Sequence, residues 1–188
     1  SLLLSLEGSI CLWEGEELGQ TDTDLALEEL TDPQGIAFWP EPVGRDNTRT
    51  PMVWDGSPNG GFTTGTPWLP VKPPQAARHV AGQLGREGSV LEFYRAMLAF
   101  RKSLPALRLG RTRFLDLPDP LLAFQRGEGE GAVLCLFNLS ADPQEIRVTG
   151  AGVPVGPSVG AALKGDRLTL TPHAAAFLPV IGKLAVSE

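Results

Sequence analysis

Two arginines four residues apart, Arg45 and Arg49, are the side chains in this sequence best equipped for directional binding. They are the only basic residues between Ser1 and Val71, and they share that segment with twelve carboxylates. A guanidinium presents its N–H donors in a fixed fork, so in such a setting it bonds either to carboxylates or to the oxygens of a polar ligand. All four tryptophans, Trp13, Trp39, Trp54 and Trp68, lie in the same segment. Indole faces beside cations and carboxylates suit a sugar, whose ring has apolar faces and a rim of hydroxyls. The same composition also describes an ion-paired surface loop with tryptophans in its core, since structural ion pairs are common. The adjacent carboxylates Glu16 and Glu17 suggest a catalytic pair. A retaining glycosidase, however, needs its two carboxyls roughly 5–5.5 Å apart across the scissile bond, and neighbouring residues of an extended chain point to opposite faces. Hydrogen bonds to the loop backbone and to Arg45 or Arg49 are their expected use.

The 188 residues have room for one domain and part of another. Hydrophobic content of 42% supports a core, and the net charge of −6 speaks against nucleic acid, which would require a basic stripe. The charge is uneven: residues 1–60 carry twelve acids and two bases, and residues 61–188 carry ten acids and fourteen bases. No polybasic amphipathic stretch suits a membrane surface, and the apolar run at residues 2–6 is too short for a span or a leader. Cys11 and Cys135 are too few for a disulfide framework or a metal knuckle. Both sit in apolar runs and are expected as buried free thiols. His79 and His173 stand alone, so no metal or cofactor is assigned, and a cytoplasmic location is expected.

The elements that must position these groups follow from pattern. Residues 1–6 read as the end of an apolar helix, and Gly8–Trp13 as a short buried strand bounded by glycines. Residues 14–73 show only a weak helical turn at Asp24–Leu30, so they form one long loop, a length usually functional. Pro73-Pro74 can open a short helix over Gln75–Leu84. Ser89 and Glu92 make a capping box before a helical stripe of Val90, Phe93, Met97, Phe100 and Leu104, which stops at Pro105. From Ala106 onward, short runs separated by Gly and Pro turns predict an antiparallel β-sandwich. The strands expected are Thr112–Leu117, Leu121–Arg126, Ala132–Leu139, Glu145–Thr149, Ser158–Leu163, Arg167–Leu170 and Ala174–Val180.

Four motifs sharpen this pattern: WEGEELGQ at residues 13–20, GRDNTRTPMVWD at 44–55, GGFT at 60–63 and PWLPV at 67–71. In order and spacing they resemble the YQGEELG, RDxxRTPMxWD, AGF(S/T) and PWLPV segments of α-glucosidases and oligo-1,6-glucosidases in the α-amylase superfamily, glycoside hydrolase family thirteen. Residues 89–102 are similar to the family's SVLxxYRxxLxxRK helix, and Val133–Asn138 to its LLCAFNLS strand. Val53 and Trp13 stand where the family pattern has Gln and Tyr.

The resemblance implies the C-terminal edge of a (β/α)8 barrel followed by an antiparallel β-sandwich. Residues 1–105 would hold the last strand, the substrate loop 14–73 and the last helix, and residues 106–188 the sandwich. It also implies retaining hydrolysis of terminal α-glucosidic bonds, with all three catalytic carboxylates on earlier strands, so the chain alone is expected to be inactive. Arg45 matches the arginine that grips the terminal hydroxyl of the non-reducing glucose, and Arg49 the one near the next subsite. Asp46 completes the substrate-binding candidates, as a brace for these arginines more than a sugar ligand. Trp54 and Trp68 are expected to pack under the loop. The implied partners are an oligosaccharide and the N-terminal portion of the barrel. An open strand edge would promote self-association or disorder within residues 1–70. Alternatives are a trehalose synthase or sucrose isomerase, and a non-catalytic carbohydrate-binding or scaffold module.

Overall fold

The computed structural model describes residues 1–187, which pack as two compact units: residues 1–10 with 94–187, and residues 11–93. Unlike the sequence-based division at residue 105, these boundaries follow packing. The last helix and the first ten residues share a core with the strands.

The first unit opens with helix α1 (Leu2–Ser5). The expected strand over Gly8–Trp13 does not form. Cys11 is exposed, as is Trp13. A strand exists through its ladder to neighbours, and no described strand pairs with this segment, so it remains irregular.

In the second unit, helices α2 (Pro33–Ala37), α3 (Pro73–Ala76) and α4 (Val80–Gln83) are single turns. Each starts on a proline or a capped residue. The Asp32 carboxylate accepts from Gln34 N–H at 3.0 Å, and His79 Nδ1 accepts from Gly82 N–H at 2.9 Å. The expected turn near Asp24–Leu30 is a 3-10 turn, Leu27–Glu29.

Helix α5 (Val90–Ser103) begins at the foreseen cap, where Ser89 Oγ accepts from Glu92 N–H at 3.3 Å. The Glu92 carboxylate also accepts from Gly85 N–H, at 2.8 Å. Proline 105 opens the next helix, α6 (Pro105–Leu109).

Strands β1 (Thr112–Leu115), β2 (Leu121–Arg126), β3 (Val133–Asn138), β4 (Gln144–Ala151), β5 (Val159–Lys164) and β6 (Arg167–Ser187) build the sandwich. The hydrogen-bonded order is β1-β2-β3-β6-β4, with β5 also on β6. The two strands expected at Arg167–Leu170 and Ala174–Val180 are parts of β6, which bends where His173 adopts φ 55°. The middle of β6 pairs with β3 (Cys135 opposite Phe177), while its start faces β5 and β4 (Leu168 opposite Leu163 and Ile146). One strand thus serves both layers.

Leu134, Leu136, Ile146, Leu168, Ala176 and Leu178 fill the space between the layers. The opposite face of β3 is buried too, with Phe137 and Phe177 edge-on at 6.1 Å and Phe100 of α5 5.3 Å from Phe177. Burial on both faces explains why VLCLFN is continuously apolar and does not alternate. Cys135 lies in this layer, and burial pushes its thiol up to about 12 against the opposing charge of Arg126.

Candidate substrate loop

The motif at residues 44–55 is fastened along its length by side chains that bond to backbone. At its centre is a 3-10 turn, Asp46–Thr48, flanked by Arg45 and Arg49. Asp46 is 2% exposed. Its Oδ2 accepts from the N–H groups of Thr31 at 2.6 Å and Asp32 at 2.7 Å, and the Thr31 hydroxyl reaches both carboxylate oxygens. Burial opposes ionisation of Asp46. The two N–H groups, the hydroxyl and the Arg49 charge outweigh it and hold the carboxyl below its ordinary value. Asp46 therefore braces the Thr31–Asp32 backbone; it does not form an ion pair with the arginine forks. Asp32 completes the brace by accepting from Arg45 N–H at 3.0 Å.

On the other side, Trp13 Nε1 donates to the Thr48 carbonyl at 3.1 Å, and Thr23 N–H to the Asn47 carbonyl at 3.1 Å. The buried Gln75 amide donates to Thr50 Oγ1 at 2.7 Å and to the Pro51 carbonyl at 2.8 Å. Met52 and Val53 then enter a small apolar cluster with Leu18, bordered by Val71, Val80 and Leu91. The carbonyls of Val53 and Trp54 receive the N–H groups of Val80 and Ala81, at the start of α4.

The glycines of the GGFT motif have a steric reason. Gly60 and Gly61 take φ values of 62° and 70°. A Cβ at either would stand 2.8 Å from Val53 or from the Asp55 carboxylate. The Gly60 carbonyl accepts from Trp54 N–H at 2.7 Å, which closes this turn on the RTPMVWD segment. Asp55 also accepts from the hydroxyl and N–H of Ser57.

Against this dense bonding, the two arginine side chains stand out. Arg45 and Arg49 are exposed, and among the described residues neither guanidinium donates a hydrogen bond or closes an ion pair. The expected partners Glu16 and Glu17 instead accept backbone N–H groups, from Trp13 at 2.9 Å and Gly15 at 3.0 Å. Arg45 lines a cleft of about 450 Å³ together with Trp39, Asp22 and Asp24. Asn47 also borders a second hollow of about 300 Å³ bounded by Trp13, Glu14 and Gln20.

Trp54 and Trp68 do not pack under the loop. They are 51% and 66% exposed, and Trp13 and Trp39 are exposed as well. The apolar cluster is too small to take in four indoles.

Sequence reasoning missed Thr31, Asp32 and Gln75, which hold the motif from distant loop positions. Only Asp32, as a helix cap before Pro33, carried a local signal. No described group of three or more His, Cys, Asp or Glu side chains is arranged to hold a metal, and no described helix is long and apolar enough to cross a membrane.

The family described as alpha amylase, catalytic domain, matches residues 1–110, and a D-apionate lactonase C-terminal immunoglobulin-like domain matches residues 118–178. A probable alpha-glucosidase of Rhizobium meliloti (strain 1021) is 50% identical over 140 residues, covering 74% of this chain and 25% of that protein. An oligo-1,6-glucosidase of Heyndrickxia coagulans is 35% identical over 159 residues, covering 74% of this chain and 29% of its own length. The crystal structure of an alpha-glucosyl transfer enzyme, XgtA, superimposes with a TM-score of 0.85 at 44% identity, over 100% of this chain and 34% of that one. The chain thus spans about a quarter to a third of the length of these proteins. It comprises the C-terminal edge of a (β/α)8 catalytic barrel and the antiparallel sandwich that follows. By the match over residues 1–110, which contain the whole arginine-bearing loop, the chain belongs to the alpha-amylase family.

Proposed function

We propose that residues 14–73 are the substrate loop of a retaining α-glucosidase that cleaves terminal α-glucosidic bonds of short oligosaccharides or sucrose-like substrates. Arg45 and Arg49 are its sugar-binding groups. One observation carries this proposal: the loop commits Asp46, Asp32, Gln75, Glu16 and Glu17 to its own backbone, yet leaves two adjacent guanidiniums exposed and unspent. A fork of donors fixed at its base can hold two hydroxyl oxygens of a pyranose in register. Asp46 acts one step back, by keeping the turn between the arginines rigid.

The carboxylates that perform the chemistry belong to the parent protein's earlier barrel strands. There an aspartate attacks the anomeric carbon, the leaving oxygen takes a proton from a carboxylic acid, and water then releases glucose with retention. Hydrolysis of nitrophenyl-α-glucoside, run on this chain and on the full parent, tests the assignment. Activity only in the parent, strongly reduced in Arg45→Ala with the fold intact, is expected. Activity in the 188-residue chain would overturn the placement of catalysis upstream.

Transfer of the glucosyl group to a sugar acceptor, as in a sucrose isomerase or trehalose synthase, is the second reading. The similarity to an alpha-glucosyl transfer enzyme at 44% identity favours it. Sucrose given to the parent separates the two: free glucose and fructose in equal amounts mark hydrolysis, and an isomeric disaccharide marks transfer.

The N-terminal portion of the barrel is the partner proposed for the exposed indoles of residues 11–93, and without it the chain should self-associate. Size-exclusion chromatography that finds a compact monomer with residues 1–70 resistant to protease would oppose this. A cytoplasmic location is proposed on the exposed free thiol of Cys11, which a reducing compartment would preserve.

A further inference from the structure

The substrate-loop unit, residues 11–93, leaves the rest of the chain at Ile10 and rejoins it at Tyr94. Its base lacks the ladder that usually ties the ends of a long loop together, since residues 9–14 pair with no described strand. A side chain takes over that task. Arg101 lies two turns into α5 beyond the rejoining point, and its guanidinium donates to the carbonyls of Leu4 at 3.1 Å, Leu6 at 2.9 Å and Gly8 at 2.8 Å. These are carbonyls at the end of α1 and just past it, groups that a helix leaves without intrahelical partners. The bond to Gly8 spans 93 positions in sequence, across the whole loop.

A second guanidinium reinforces the first from the sandwich. Arg126 of β2 is fully buried and donates to the Ser5 carbonyl, to Leu107 at 3.0 Å and to Gly110 at 2.9 Å. Glu7, between the residues so held, accepts from Thr112 N–H at 2.7 Å. Four carbonyls within Leu4–Gly8 are therefore gripped by two cations, and among the described residues no carboxylate stands within ion-pair distance of either. A buried cation is costly to desolvate, and burial lowers the pKa of both. The return is geometric: a rigid fork accepts backbone carbonyls only when they stand at fixed positions, which pins the segment that feeds the loop.

We propose that Arg101 is a positioning residue for substrate binding: it clasps the residues before the loop to the helix after it, so that the loop's arginines are presented from a fixed base. Arg126 acts as its buttress. The link to substrate rests on the glucosidase assignment above; the clasp itself does not. The clasp requires three donors in one plane, so Arg101→Met abolishes it and Arg101→Lys, a single ammonium, restores part of it.

Two measurements test the proposal separately. In the full parent, amide hydrogen exchange over residues 4–10 should speed up about tenfold or more in Arg101→Met, less in Arg101→Lys, with β3 amides unchanged. Unchanged exchange over residues 4–10 would overturn the clasp, whatever the parent's activity. In the same protein, Arg101→Met should raise KM for nitrophenyl-α-glucoside about tenfold with kcat within twofold, the signature of lost binding registration. A fall in kcat in proportion to lost folded protein, with KM unchanged, would reduce Arg101 to a structural residue and overturn the positioning role. A parent without glucosidase activity would remove the functional assignment but leave the exchange result to decide the clasp.

Discussion

The sandwich and the arginine-bearing loop belong to one chain but are stabilised in opposite ways. Between the sandwich layers, Leu134, Leu136, Leu168 and Leu178 are completely buried, and the other face of β3 is closed by a train of phenylalanines. In the loop the described buried apolar residues are few, Leu18, Met52 and Val53 in one cluster with Leu25 and Leu69 besides, and much of its shape is held by side chains bonded to backbone. Apolar burial is non-directional and large, whereas each polar bond adds little net stability but is costly to leave unmade. A region that keeps its charged groups at the surface cannot draw its shape from burying them, so it gains that shape from directional bonds. The loop accordingly exposes what the sandwich hides: all four tryptophans and both arginines of the motif are on its surface.

Substitutions should divide along the same line. The largest loss is expected from Leu134→Ala in the sandwich core, about 2–5 kcal/mol from lost transfer energy and a residual cavity. Denaturant unfolding followed by far-ultraviolet circular dichroism measures it, and a loss under 1 kcal/mol would mean that the layers are loosely packed. Next comes Asp46→Asn, which weakens the acceptor of two buried N–H groups, with a cost of about 1–3 kcal/mol. Tryptophan emission reports it selectively, because every indole lies in the loop unit. The far-ultraviolet transition of the sandwich should not move.

Acid should mimic that substitution. The Asp46 carboxyl titrates lower in the folded chain than in the unfolded one. Its contribution is therefore complete above the unfolded value, about 3.9, and is lost as pH falls through the lower folded value. Tryptophan emission should change below about pH 4 in the native chain, and that acid transition should be blunted in Asp46→Asn. The smallest effect on stability belongs to Arg45→Ala, within about 0.5 kcal/mol for an exposed side chain without intrachain bonds. The same change should lower kcat/KM of the parent about 10- to 100-fold, through lost charge-assisted bonds to sugar. A large stability loss with unaltered kcat/KM would reverse the contrast between brace and ligand group.

Much was legible in order and type. The capping box at Ser89, the stripe that becomes α5, and the short β runs of the sandwich are local patterns, and the four loop motifs carried the family resemblance. Arg45 and Arg49 could be singled out because nothing else basic surrounds them. Their exposure, however, depended on where Glu16 and Glu17 would turn, and both accept N–H groups a few residues away. Asp46 was foreseen as a brace, but for the arginines and not for Thr31 and Asp32, because a carboxylate's partner fifteen residues off leaves no local trace.

The amino-acid sequence by itself determined the family, the position of the arginine-bearing motifs and the periodicity of the elements around them, because these are carried by local residue types and spacing. The tertiary structure alone decided that Gly8–Trp13 forms no strand, that β6 is one bent strand serving two layers, and that the indoles face outward. It also decided that Arg101 and Arg126 bond to the carbonyls of residues 4–8. The physical reason is common to all four: ladders, burial and carbonyl capping are made between groups tens of residues apart, and their geometry exists only once the chain has packed.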